Sequence, residues 1–347
     1  MRFDIESDSG RSISGWLTLD NPSSRPIFNI ILPGKEPIQT VATEFRQAVL
    51  DHGFSTTGIV GFKIDDSIVP NIENEKILEI REATSNLLLH RRADQTKFIQ
   101  RKFLLLDLSV SPRKDIFDSL SSFFATPYHF LDRYTFETLS YIIGVLLESR
   151  VLYGKVNFMR HADMIKRSEF VVAALVRDPF EELAERIILL KKAANHPNSN
   201  FVSELFASWL PVVDFAASLP IDDTKVIAKA FHKLSTEKRR VFCDPLTRML
   251  GCNIDEPASR HGVTQALENM SKMDVVGTMD KYVEFKAMTT GCFGANVLGD
   301  SAYTVSPAVT DLAEKLANVG VVRDFLENDL ALYSYINEAV EVGCLAG

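Results

Sequence analysis

Apolar residues follow two different rhythms in this chain. Over residues 1 to about 72 they come as short runs broken by turn residues. Phe3 and Ile5 are followed by Asp8-Ser9-Gly10-Arg11, then by Ile13, Trp16, Leu17 and Leu19, then by the loop Asn21 to Pro26. Ile27 to Leu32 stops at Pro33-Gly34, and Gly58 to Ile64 gives a closing run that ends near Pro70. Short strands at this spacing with Gly, Pro and Asn turns predict a small β-sandwich. Within it, Glu44 to His52 carries helical spacing at Phe45, Val49 and Leu50, with Gly53 as its C-cap. The sequence then turns charged, and residues 73–101 are expected as a helical linker, with Glu79 to Leu89 helical and His90-Arg91-Arg92 a basic end.

From residue 102 to 347 the rhythm changes to continuous apolar runs alternating with helical periods. Lys102 to Leu108 is expected as a buried strand, followed by the loop Ser109 to Asp115 and a helical face at Ile116, Leu120, Phe123 and Phe124. A helix over Phe136 to Arg150 leads to a strand over Arg150 to Met159 that ends in Arg160-His161. Phe170 to Val176 is a run short enough for a strand buried on both faces, and it stops at Arg177-Asp178-Pro179. Asp178 suits an N-cap, Pro179 the first helical position, and Glu181 and Glu182 the positive end of a helix running through Lys192. Helices are expected over Ser203 to Leu210, Asp222 to Phe231, Ser259 to Met273, Asp280 to Met288 and Ser306 to Leu316, with a last one through Tyr333 and a short strand at Asp274 to Gly277. Strands alternating with helices predict an α/β domain, a parallel sheet flanked by helices.

Composition narrows the function classes. A chain of 347 residues is long for one core, and 46% hydrophobic with 24% charged residues is ordinary for a soluble globular protein. A formal net charge of −8 argues against general nucleic-acid binding. Four scattered cysteines form no CxxC pair, the N-terminus turns polar at once, and the longest apolar contender, Tyr141 to Leu147, falls far short of the ~20 residues of a membrane span. A cytoplasmic protein without a membrane span is expected.

Candidate chemistry gathers at strand ends. Arg177 stands where a buried strand meets a helix start, the place where open α/β sheets bind ligands. Arg113 and Lys114 lie in a strand-to-helix loop that could hold a phosphate, although it has no glycine. His161 is the candidate base, its ordinary pKa of about 6.5 suiting proton abstraction near neutral pH. No His/Asp/Glu grouping has metal-ligand spacing, and no Gly-x-Ser-x-Gly elbow is present.

The first 70 residues resemble an N-terminal module of bacterial glycan-modifying enzymes, through Ser14-Gly15-Trp16, Glu44-Phe45-Arg46, His52-Gly53 and Gly61-Phe62. Trp16 is expected in the sandwich core rather than in a sugar-stacking role. Residues from about 102 to 340 resemble the carbohydrate sulfotransferases, whose donor is 3′-phosphoadenosine 5′-phosphosulfate. The segments that carry this are Tyr153 to His161, Arg177-Asp178-Pro179, Leu246 to Gly251, Val276 to Phe285 and Asn328 to Tyr333, in the family's order. The resemblance implies a P-loop-like fold, a glycan or glycoconjugate acceptor, association with polysaccharide-assembly enzymes, and no metal. It places Arg177 on the donor's 3′-phosphate, Arg113 and Lys114 on the 5′-phosphosulfate, Arg248 as a second anion contact, and His161 with Lys155 at the transfer step. Three departures stand beside it: the loop lacks the family's Pro-Lys-x-x-x-Thr/Ser pattern, Lys155 replaces a histidine, and Glu185 replaces a serine. The alternatives are a catalytically impaired protein of this fold that binds a glycan or a partner, and a nucleotide-binding enzyme of another transfer class.

Overall fold

The computed structural model describes residues 1–110, 113–195, 207–300 and 302–346. Its N-terminal part holds two four-stranded antiparallel sheets. One runs β1-β2-β6-β5, from β1 (Arg2–Asp8), β2 (Ile13–Thr18), β5 (Glu44–Phe45) and β6 (Ile59–Ile64). The other runs β4-β3-β7-β8, from β3 (Ile27–Ile31), β4 (Ile38–Val41), β7 (Leu78–Glu82) and β8 (Leu88–Arg92). The sheets meet face to face at Phe28 and Phe62, whose ring centroids are 4.5 Å apart. Side chains alternate across a strand, so Ile13 and Leu17 are buried while Trp16, on the opposite face of β2, is only half-buried. Trp16 is thus not the core residue expected.

The expected helical linker is also corrected. Residues 78–92 are the strands β7 and β8, and Leu78, Ile80 and Leu88 fill the core with period 2. The charges that suggested a solvated helix pair on the sheet face instead: Glu79 is held by Arg81 on its own strand at 2.8 Å and by Arg91 across on β8 at 2.6 Å.

After this comes a five-stranded sheet in the order β10-β11-β9-β12-β13, from β9 (Lys102–Asp107), β10 (Thr126–His129), β11 (Arg150–Gly154), β12 (Val171–Val176) and β13 (Val275–Thr278). β12 runs parallel to both β9 and β13. Helices α2 (Lys114–Phe123), α4 (Phe158–Arg167) and α5 (Pro179–Asn195) follow β9, β11 and β12, as parallel connections require. The expected strand over Arg150 to Met159 stops early because Gly154 turns the chain at φ 134°, and His161 consequently lies in α4 rather than at a strand end. The first half of the expected helix at Ser203 to Leu210 falls outside the described residues, and its second half belongs to the 3-10 helix Ala207–Val212. Among those described, no helix is long and apolar enough to cross a membrane.

By compactness the chain divides into two units, Met1–Lys102 with Asp118–Leu152 and Met164–Phe170, and Phe103–Phe117 with Tyr153–Asp163 and Val171–Gly347. In the second, the motif glycine Gly251 lets the helices Pro245–Gly251 and Arg260–Met270 touch. A Cβ there would overlap the Gly262 carbonyl and come within 2.7 Å of Ala266 N. Gly251→Ala is expected to destabilise by about 1–3 kcal/mol, seen as a lower midpoint in guanidinium unfolding.

Candidate functional site

The site is built at the carboxyl ends of β9, β11 and β12, inside the second unit. Asp107 ends β9 and is fully buried. Its carboxylate accepts from Ser109 N–H at 3.0 Å, Ser109 Oγ at 2.5 Å and the Tyr153 hydroxyl at 2.6 Å. The same hydroxyl accepts from Arg113 N–H at 2.7 Å. Burial and the Asp107 carboxylate push the Tyr153 phenol well above its usual value, so it stays a neutral donor. A loop without glycine therefore takes its shape from side chains, and the carboxylate occupies donors that a phosphate loop would turn to its ligand. Ser111 and Pro112 lie outside the described residues.

α5 starts as expected, with Asp178 Oδ1 accepting from Phe180 N–H at 2.8 Å and Glu181 N–H at 3.1 Å. Arg177 points back along this helix: its side chain is 5% exposed, Nε donates to Glu181 Oε2 at 3.1 Å, and Nη1 pairs with Glu185 Oε2. Burial works against the guanidinium charge, but Glu185, Tyr303, Glu182 and Glu181 outweigh it and raise the Arg177 pKa. Glu185 is held above the usual carboxylate range by burial and Glu182, although Arg177 pulls the other way. Arg177 stays cationic, and its charge draws Glu185 back toward the ionised form against burial and Glu182.

Arg113 and Arg177 converge on one cleft of about 270 Å³, lined also by Ser109, Glu185, Tyr303 and Ser306. Tyr303 lies 5.8 Å from the Arg113 guanidinium and 5.6 Å from that of Arg177, a cation–π contact on each side. Arg113 is also paired with Asp115 and donates to Ala302 O at 3.1 Å.

The other candidates are placed elsewhere. Lys114 is exposed at the start of α2. Lys155 is buried, donates to Val110 O at 3.3 Å, lies 3.9 Å from Glu182, and lines a separate cavity of about 30 Å³ with Arg177, Glu182, Arg186 and Asp329. That space is the size of about two waters. His161 is 4% exposed, its Nδ1 lies 3.1 Å from Asn157 O, and burial, with Arg160, lowers its pKa; it lines neither cavity. Arg248 donates to Arg240 O at 2.6 Å, and burial together with Arg240 lowers its pKa. Of six candidate residues, the cleft therefore receives two. Asp107, Tyr153 and Tyr303 escaped the sequence reading because their partners are distant in the chain. The aspartate closing the Lys102 to Leu108 run was the one available signal.

No family model matches the chain, and no curated protein and no solved structure matches it.

Proposed function

We propose that this is a sulfotransferase-like, P-loop-like α/β protein that binds a glycan or a partner and does not turn over 3′-phosphoadenosine 5′-phosphosulfate. One observation carries the reading: the chain's own carboxylates stand at both anion-binding positions, Asp107 on the loop and Glu185 with Glu181 on Arg177. A 3′-phosphate would have to displace an ion pair that is already formed and largely shielded from water. His161, the base that the resemblance implies, is buried and does not line the cleft. A cytoplasmic location fits the scattered cysteines.

The enzyme reading, sulfuryl transfer to a glycan hydroxyl, is favoured by the convergence of Arg113 and Arg177 on one cleft. Titration with 3′-phosphoadenosine 5′-phosphate separates the two, since only an enzyme needs tight binding of that product.

A further inference from the structure

Two donors at the cleft are left without an acceptor by the folded chain. Arg113 Nη1 and the Tyr303 hydroxyl are both buried and make no hydrogen bond. Burial raises the Tyr303 pKa, so the hydroxyl keeps its proton. A buried polar group without a partner is uncommon in folded proteins and marks places where a ligand supplies the missing partner. Both atoms belong to residues lining the same 270 Å³ cleft, whose two guanidinium groups are each already paired, Arg113 through Nε and Nη2 with Asp115, and Arg177 with Glu181 and Glu185. Arg177 is already satisfied by Glu181 and Glu185, so the open anion-binding capacity belongs to Arg113 and Tyr303. The rest of the lining is rich in groups that exchange hydrogen bonds with hydroxyls: Glu185, Thr304 and Ser306. The space, at about 270 Å³, exceeds that of one inorganic oxyanion.

We propose that this cleft takes a single saccharide residue bearing an oxyanion ester, sulfate or phosphate, with Arg113 Nη1 and Tyr303 Oη on the anion and Glu185 on neighbouring hydroxyls. The proposal rests on the reading of the site as closed to the nucleotide donor. It names what the binding module recognises: an anionic residue within or at the end of a glycan. Charge-assisted hydrogen bonds from a guanidinium and a phenol supply affinity, and the carboxylate selects against ligands that lack hydroxyls.

The test is calorimetric titration of the full chain with galactose 6-sulfate, glucose 6-phosphate, galactose, inorganic sulfate and 3′-phosphoadenosine 5′-phosphate. At least one sugar ester is expected to bind with Kd below about 1 mM, and at least about tenfold more tightly than galactose or inorganic sulfate. Tyr303→Phe, which keeps the ring between the two arginines, is expected to weaken that binding about tenfold or more, and Arg113→Gln to weaken it further. Failure of both esters to bind the wild type overturns the proposal, as does equal binding of galactose or of inorganic sulfate. Ester binding that Tyr303→Phe and Arg113→Gln leave unchanged overturns its assignment to this cleft. Tight binding of the nucleotide, by contrast, overturns the underlying reading and is recognised separately.

Discussion

Arg177→Ala is expected to destabilise the protein by about 3–5 kcal/mol, measured from the midpoint and slope of guanidinium unfolding. The Arg177 side chain is 5% exposed and pairs directly with Glu181 and Glu185. Glu182, which is buried, also acts on it. Its removal leaves Glu181 and Glu185 without the cation that offsets their desolvation and their repulsion by Glu182. The loss is expected to be larger at pH 8 than at pH 5. Glu185 already sits above the ordinary carboxylate range through burial, and without Arg177 it takes up a proton more readily as pH falls, which relieves the repulsion. An arginine kept open for a phosphate behaves differently: its truncation reduces ligand binding and leaves stability nearly unchanged.

The second large effect lies at Asp329. This residue is 1% exposed and its carboxylate accepts from Leu246 N–H at 2.9 Å and Thr247 N–H at 2.7 Å, capping the helix Pro245–Gly251 from a distant part of the chain. Asp244 returns the contact, accepting from Asn328 N–H at 2.9 Å and Asp329 N–H at 3.0 Å at the start of the helix Glu327–Ala346. Two buried aspartates thus cap each other's helices. Asp329→Asn keeps the shape but offers one acceptor where two N–H groups need one each, and it is expected to cost about 1–3 kcal/mol. The pH dependence has a definite sign. Burial and the Asp244 carboxylate push Asp329 up to about 7, against the two backbone donors. A carboxyl whose folded value lies above its unfolded value of about 3.9 takes up a proton on folding. Its contribution is complete below about pH 4 and is lost as pH rises through about 7. Asparagine does not titrate, so a series of unfolding curves from pH 5 to 8 should show this part of the slope in the wild type and not in Asp329→Asn.

Local signals were legible in the sequence. Asp178, Pro179 and the acidic first turn of α5 act within a few residues of one another, and the structure has that cap with Asp178 on the N–H groups of Phe180 and Glu181. Glu185 was visible as a residue at odds with the resemblance because the family has a serine eight residues past the arginine of Arg177-Asp178-Pro179. What the sequence did not disclose depends on distance. Tyr153 and Asp107 are 46 residues apart, and their hydrogen bond, which shapes the loop, leaves no periodic trace. Tyr303 reaches Arg113 and Arg177 from another part of the chain altogether. β7 and β8 were misread because Glu79, Arg81 and Arg91 look like a solvated helix face until strand pairing brings Arg91 opposite Glu79, which Arg81 flanks on the same strand. The strand over residues 150–154 was overextended because only backbone geometry shows that Gly154 turns there.

The central claim is that Glu185 holds the position a donor phosphate would need. Calorimetric titration with 3′-phosphoadenosine 5′-phosphate, run on the wild type and on Glu185→Ser, tests it directly. The wild type is expected to bind more weakly than about 1 mM, and Glu185→Ser at least about tenfold more tightly than the wild type, as the freed guanidinium takes the phosphate. Micromolar binding by the wild type, unchanged or weakened in Glu185→Ser, would contradict the account.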